Sequence, residues 1–259
     1  MTVDPAALAG IALAFIAIFV AQIMEGGNPA ALMAPPALIL VFVGTLGACL
    51  AGGVLKDTVG ALQAMIKAMT GKAADPGASV EVVVKLAERA RREGLLALED
   101  AAKDVEDPFL QKGLQLAIDG TDPEELREIL EAEIGAKKGA GKTYAAWFTN
   151  AGAYGPTIGI IGTVMGLVHV LENLDKPETL GHSISAAFIA TLWGVLSANV
   201  LWFPISKRIS RLTELEAMQG ELVVEGILAI QAGSNPRVVA QKLNSLLPDG
   251  GAATEKKAA

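Results

Sequence analysis

AGAYGPTIGIIGTVMGLVHVL, residues 151–171, contains no Asp, Glu, Lys or Arg. A helix rises about 1.5 Å per residue and a bilayer's hydrocarbon core is about 30 Å thick, so roughly 20 apolar residues cross it. This stretch is long and apolar enough to do so. Within it, Gly155, Gly159, Gly162 and Gly166 recur at steps of four, three and four residues. At about 100° per residue they share one narrow stripe. Such a stripe lets two backbones approach closely in lipid, where packing rather than the hydrophobic effect drives association. The stretch therefore predicts a transmembrane helix packed closely on a partner helix.

That partner is found at 184–205, where Ala187, Thr191, Gly194 and Ala198 repeat the same spacing. Two more charge-free runs, 6–24 and 32–55, complete a set of four. The second carries Pro35-Pro36 in its first turn, where a missing N–H costs least. These runs account for the 52% hydrophobic content and the mean hydropathy of +0.44. The net charge is −7 and no basic stripe suits nucleic acid. A lone cysteine, Cys49, excludes a disulfide framework and reads as a small buried hydrophobe. Asp4 precedes the first run and Gln22-Ile-Met-Glu25 closes it, so a cleaved signal peptide is not expected.

Charge sorts the connecting segments. Of 21 Lys and Arg residues, 13 lie from Lys56 to Lys142 and seven follow Ile205. The loop after the first run has none, and the loop after the third has only Lys176. The positive-inside rule then puts both termini and 56–150 in the cytoplasm. The predicted fold class is all-α: a polytopic membrane protein with four transmembrane helices and a helical cytoplasmic domain. Its parts are a first hairpin (1–55), the cytoplasmic domain (56–150), a second hairpin (151–205) and cytoplasmic C-terminal helices with a disordered tail (206–259).

In the cytoplasmic domain, Val80, Val83, Val84, Ala87 and Ala90 keep helical spacing opposite Glu81, Lys85, Glu88 and Arg89. Asp119-Gly120 reads as a stop, and Asp122-Pro-Glu-Glu125 as the start of a helix ending near Ile134. Gly139-Ala-Gly141 is expected to break the chain before the third span. After the fourth, 206–232 continues as a long helix, Gly233-Ser-Asn-Pro236 stops it, and 237–247 forms a last short helix. The tail from Pro248 reads as disordered.

The small stripes are explained by tight packing alone, or by packing plus a narrow path lined by backbone and hydroxyls. Thr163 beside the third run's stripe and Thr191 within the fourth's favour the second reading, since together they can replace part of an ion's hydration shell. Pro156 reads as beginning the third helix and Pro204 as ending the fourth. An ion path usually needs an intramembrane carboxylate. These runs have none, so a partner must supply it if there is a path. His169 sits near its helix end and reads as interfacial. His182 falls in an outer loop with no second ligand nearby, so no metal site is expected. Tyr144, Trp147 and Trp202 fit an aromatic belt at the membrane surface. No His, Cys or phosphate-binding motif joins the acids of the cytoplasmic domain, which argues against an enzyme.

Four segments carry a resemblance: GPTIGIIGTVMGLVH (155–169), ATLWGVLSANVLWFPI (190–205), ARREGLLALE (90–99) and GILAIQAGSNPR (226–237). In order and topology the chain resembles the flagellar stator family of MotA and its sodium-driven relative PomA. The resemblance implies a homopentameric ring in the bacterial inner membrane, bathed in lipid, with the third and fourth helices lining its centre. A single-span partner of the MotB type supplies an aspartate there. Passage of H+ or Na+ turns the ring, and its cytoplasmic domains push a rotor protein of the FliG type. No cofactor besides the transported ion is implied. The family's functional prolines match Pro156 and Pro204, and its rotor-facing charges match Arg91 and Glu99. On an ideal helix those two lie about 80° apart, suited to one partner rather than to each other. Thr163 and Thr191 match threonines associated with sodium, so sodium is slightly favoured while protons stay open. Two alternatives remain. An envelope-energising motor of the ExbB/TolQ type generally lacks the leading hairpin, and a non-transporting membrane scaffold needs no hydroxyl pair.

Overall fold

A computed structural model describes residues 5–71, 73–175 and 177–247; the tail from Pro248 read as disordered lies outside them. All regular structure among the described residues is helical. Helix α1 is Ala6–Met24, α2 is Pro35–Ala51 and α3 is Leu55–Thr70. Then follow α4 (Pro76–Glu93), α5 (Leu98–Lys103), α6 (Pro108–Ile118) and α7 (Pro123–Glu172). The last are α8 (Pro177–Ser197), α9 (Phe203–Gln231) and α10 (Pro236–Ser245).

Several starts share one device, an Asp or Asn directly before proline. Asp75, Asp107, Asp122 and Asn235 each accept a backbone N–H from the first turn that follows, at 2.9–3.1 Å. The proline occupies a position whose N–H has no partner in any helix, and the side chain satisfies the next. The α7 start read at Asp122-Pro123 is therefore where the chain places it.

Four expected boundaries are corrected. Gly139-Ala-Gly141 does not break the chain: α7 runs unbroken for 50 residues, about 75 Å. Each glycine costs about 1 kcal/mol in a helix interior, but packing on both sides of the pair outweighs that. Leu126 and Leu130 are buried before it, and Ala145, Phe148 and Ala151 after it. Pro156 is accordingly inside a helix rather than at its start. Pro204 does not end a helix either, because it is the second residue of α9. Helix α8 begins at Pro177, so His182 is helical and not in a loop.

The chain forms two compact units, one of 1–72 with 141–211 and the other of 73–140 with 212–259; α7 and α9 supply residues to each. The first holds the apolar helices. By length and composition α1, α7 and 180–231 are long and apolar enough to cross a membrane, while α2 is a shorter apolar helix. Two π-helical turns interrupt this unit, Ile39–Val43 within α2 and Ala198–Trp202 between α8 and α9. Aromatic rings gather around them: Phe42 lies 6.1 Å from both Trp193 and Trp202. The Trp193 indole N–H donates to the Leu32 carbonyl at 2.7 Å and ties α8 to the 3-10 turn Pro29–Leu32 that precedes α2. Trp147 departs from the surface-belt reading. It is buried, and its indole N–H reaches Thr58 on α3 at 3.1 Å. Cys49 is buried as expected.

The second unit is a helical domain with its own core, including Val83, Leu98, Leu114, Leu130, Ile227 and Leu243. The apolar face read at Val80, Val83, Ala87 and Ala90 is the buried face of α4. Arg127 of α7 and Lys242 of α10 both bind Glu225 of α9, at 2.7 and 2.5 Å. Burial raises the Glu225 carboxyl's proton affinity, but hydrogen bonds from Lys242 and Arg127 together outweigh it and hold the pKa below the usual carboxylate range.

Candidate functional site: a hydroxyl pair on a glycine seam

Helices α7 and α8 meet backbone to backbone. A methyl group placed on Gly159 would lie 2.7 Å from the Ala190 carbonyl oxygen and 3.1 Å from the Thr191 Cα. One on Gly194 would lie 2.7 Å from the Gly155 carbonyl oxygen and 3.1 Å from the Pro156 Cα. On Gly166 it would meet the Ala187 Cβ at 2.6 Å, and on Gly162 the Ala190 Cβ at 2.7 Å. On Gly155 it would sit 3.3 Å from both the Gly194 carbonyl and the Ser197 hydroxyl. The two small stripes read in the sequence thus face each other, and their lack of side chains sets the helix separation.

This close approach brings Thr163 and Thr191 together. Their hydroxyls are 2.5 Å apart. Thr163 Oγ1 also lies 2.9 Å from the Ala187 carbonyl, and both hydroxyls lie 3.3 Å from the Gly159 carbonyl. Two hydroxyls carry two protons, while four hydrogen-bond contacts are within reach. Lone pairs on the hydroxyls and carbonyls therefore remain free to accept from, or coordinate, a further species. Both threonines are only partly buried. Oxygen clusters of this kind replace part of an ion's hydration shell.

Pro156 lies on the seam beside Gly194, whereas Pro204 faces α1 in a cavity lined by Ala6, Gly10 and Arg208. Pro156 cannot donate to the Gly152 carbonyl one turn back, nor Pro204 to that of Val200, which lies in the second π turn. Pro204 is exposed and Pro156 is half-buried. Two more hydroxyls join the seam that the sequence reading passed over. Ser197 is fully buried and donates to the Gly194 carbonyl at 3.1 Å. Thr45 of α2 is fully buried, its hydroxyl has no partner among the described residues, and it would lie 3.8 Å from a methyl on Gly155. The available signal was Thr45 as the one hydroxyl residue of the run 32–55, and Ser197 three residues after Gly194. Deeper in the α7–α9 contact, Ser206 donates to the Ala145 carbonyl at 2.8 Å. Among the described residues, no group of three His, Cys, Asp or Glu side chains is placed to hold a metal ion.

Arg91 and Glu99 are far from this seam in sequence and belong to the other unit. Both are exposed. They do not share a helix: α4 ends at Glu93, Gly94 takes φ +86°, and α5 begins at Leu98. The ideal-helix angle between them therefore does not apply. Their neighbours are paired, Arg89 and Arg92 with Glu93, and Asp100 with Lys103. Arg91 and Glu99 make no ion pair or hydrogen bond among the described residues.

The described residues form a helical protein whose charge-free, hydroxyl-bearing seam suits close helix packing in a membrane, and comparison with known proteins specifies its class. Residues 101–221 match the model of the MotA/TolQ/ExbB proton channel family. Motility protein A of Bacillus subtilis (strain 168) is 37% identical over 249 residues, 95% of this chain and 91% of that protein. Chemotaxis protein PomA of Vibrio alginolyticus is 31% identical over 252 residues, 97% of this chain and 98% of that protein. Among solved structures, the flagellar MotAB stator complex from Bacillus subtilis matches with a TM-score of 0.87 at 37% identity, covering 96% of this chain and 98% of that one. The C. jejuni MotAB structure matches with a TM-score of 0.90 at 29% identity, covering 94% and 96%. The chain belongs to the MotA/PomA family of flagellar motor stator subunits, within the MotA/TolQ/ExbB proton channel family.

Proposed function

We propose that this stator subunit assembles as a homopentamer around a single-span partner of the MotB type and conducts protons or sodium ions past that partner's aspartate. The flow turns the ring, and the domain carrying Arg91 and Glu99 pushes a rotor protein of the FliG type. In this reading four helices cross the bacterial inner membrane: α1, α2, the apolar part of α7 and the stretch through α8 into α9. Both termini and the helical domain lie in the cytoplasm, as the distribution of Lys and Arg supports. No cofactor or catalytic group is needed besides the transported ion.

The observation that carries the reading is the 2.5 Å approach of Thr163 to Thr191 beside the Gly159 carbonyl, on a seam without an acidic or basic residue. Such a seam can pass a cation over hydroxyl and carbonyl oxygens, but it needs a partner's carboxylate to hold the charge. Pro156 leaves the Gly152 carbonyl without its helical donor on that seam. Deleting the gene in its native host and restoring it with and without sodium tests this. Swimming restored only with sodium supports a sodium path through the threonine pair. Restoration independent of sodium supports a proton path. A deletion strain that swims normally, in a host with no second stator, would overturn the reading in favour of an envelope motor or a scaffold.

A further inference from the structure

Helix α1 buries none of its residues against the rest of the chain. A cavity of about 420 Å³ opens between it, the end of α3 and the start of α9, all within the first unit. Its volume falls within the range of ligand sites, about 300–1,000 Å³. Small residues keep it open: Ala7, Gly10 and Ala14 line it from α1, and a methyl on Gly10 would meet no atom within 4 Å. Val200 in the second π turn supplies part of the opposite wall. Such turns inside helices are frequent at functional sites.

Arg208 brings a charge to this largely apolar wall. Its Nε–H donates to the Ala68 carbonyl at 2.6 Å, which fixes the plane of the guanidinium. A guanidinium carries five N–H donors in a planar fork that matches the oxygens of a phosphate. The segments forming the wall carry four cations and no acid. Residues 6–24 are uncharged, 58–71 contain Lys67, and 199–212 contain Lys207, Arg208 and Arg211. An apolar span from a second copy would suit the small residues of α1. Every such run of this chain is charge-free, however, so it would offer Arg208 no anion. A molecule with an apolar chain at one end and a phosphate at the other suits both parts of the wall.

We infer that the cavity binds an anionic phospholipid of the cytoplasmic leaflet. One acyl chain lies in the groove along α1, and Arg208 holds the phosphate. Lys67, Lys207 and Arg211 add positive potential at the membrane surface, where that leaflet gathers its anionic headgroups. This rests on the stator reading only for the side of the membrane on which these span ends lie. Native mass spectrometry of the intact assembly, released from nanodiscs of equal parts phosphatidylglycerol and phosphatidylcholine, tests it. The wild type should retain phosphatidylglycerol over phosphatidylcholine by about fivefold, the factor one cation contributes beside an anionic surface. Arg208→Gln should erase that preference. Gly10→Leu, whose side chain enters the open space, should release the lipid and leave the assembly intact. Equal retention of the two lipids by the wild type, or undiminished retention by Gly10→Leu, would overturn the inference. Loss of the assembly in Gly10→Leu would overturn it too, by making a second copy the occupant. Retention is read without motility, so a host that swims without the gene would remove the stator reading and leave the lipid result standing.

Discussion

At the scale of single residues, the seam between α7 and α8 depends on hydroxyls and on missing side chains. Thr163 and Thr191 share the Gly159 carbonyl at 3.3 Å, so replacing both with Ala removes the oxygen cluster while leaving the helix contact. Neutral hydrogen bonds of this kind contribute about 0.5–1.5 kcal/mol each, too little for their loss to dismantle the oligomeric stator assembly. The expected outcome is normal assembly by native electrophoresis with ion-driven torque cut to roughly half or less. Normal torque would show that ions do not pass there. Gly159 makes the opposite case. A methyl on it would lie 2.7 Å from a backbone carbonyl, which cannot swing aside as a side chain does. Gly159→Ala should therefore push α7 and α8 apart and cost about 1–3 kcal/mol, measurable as a lower Tm in detergent.

At the scale of elements, α7 shows how packing overrides propensity. Gly135 and Gly139 lie within its 50 residues, and a methyl on either would meet no atom within 4 Å. Neither glycine is needed for close approach, and neither has a positive φ. Gly135→Ala and Gly139→Ala should each stabilise by about 0.5–1 kcal/mol through helix propensity. A raised Tm with unchanged assembly is expected; a fall would show that a second copy packs against that face. Gly94 differs, because its φ of +86° is one that only glycine adopts without strain. The break read at Gly139-Ala-Gly141 was a misreading of that distinction. Glycine counts and spacing are visible in a sequence, but whether a glycine bends the chain depends on what packs around it.

At the scale of the whole molecule, three helices of the second unit are tied by Glu225 to Arg127 and Lys242. The Glu225 pKa lies below its ordinary 4.5, so the unfolded chain takes up the proton first on acidification. Its contribution to stability is therefore complete above about pH 4.5 and is lost as pH falls through the lower folded value. Glu133, held low by hydrogen bonds from Lys112 and Lys137, acts in the same sense. Glu225→Gln should cost about 1 kcal/mol at neutral pH, kept small because Arg127 and Lys242 are 42% and 53% exposed. Its Tm should also fall less steeply than that of the wild type as pH drops below about 4.5. Equal slopes would show that Glu225 does not gate acid unfolding.

Some of this was decided by the chain alone. Hydropathy, the sorting of Lys and Arg, and the four-three-four spacing of small residues are one-dimensional patterns. They pointed to apolar helices, to a seam between two of them, and to Thr163 and Thr191 beside it. Tertiary structure decided the rest. The 2.5 Å meeting of the two hydroxyls, the buried Thr45 and Ser197, and the cavity beside Arg208 depend on helix separation and turn geometry. Arg91 and Glu99 were legible only as charges, since which neighbours pair with Glu93 and Lys103 is a property of where those side chains point. Residue type and spacing survive in the linear sequence, whereas a contact between residues 28 apart exists only once both helices have been packed.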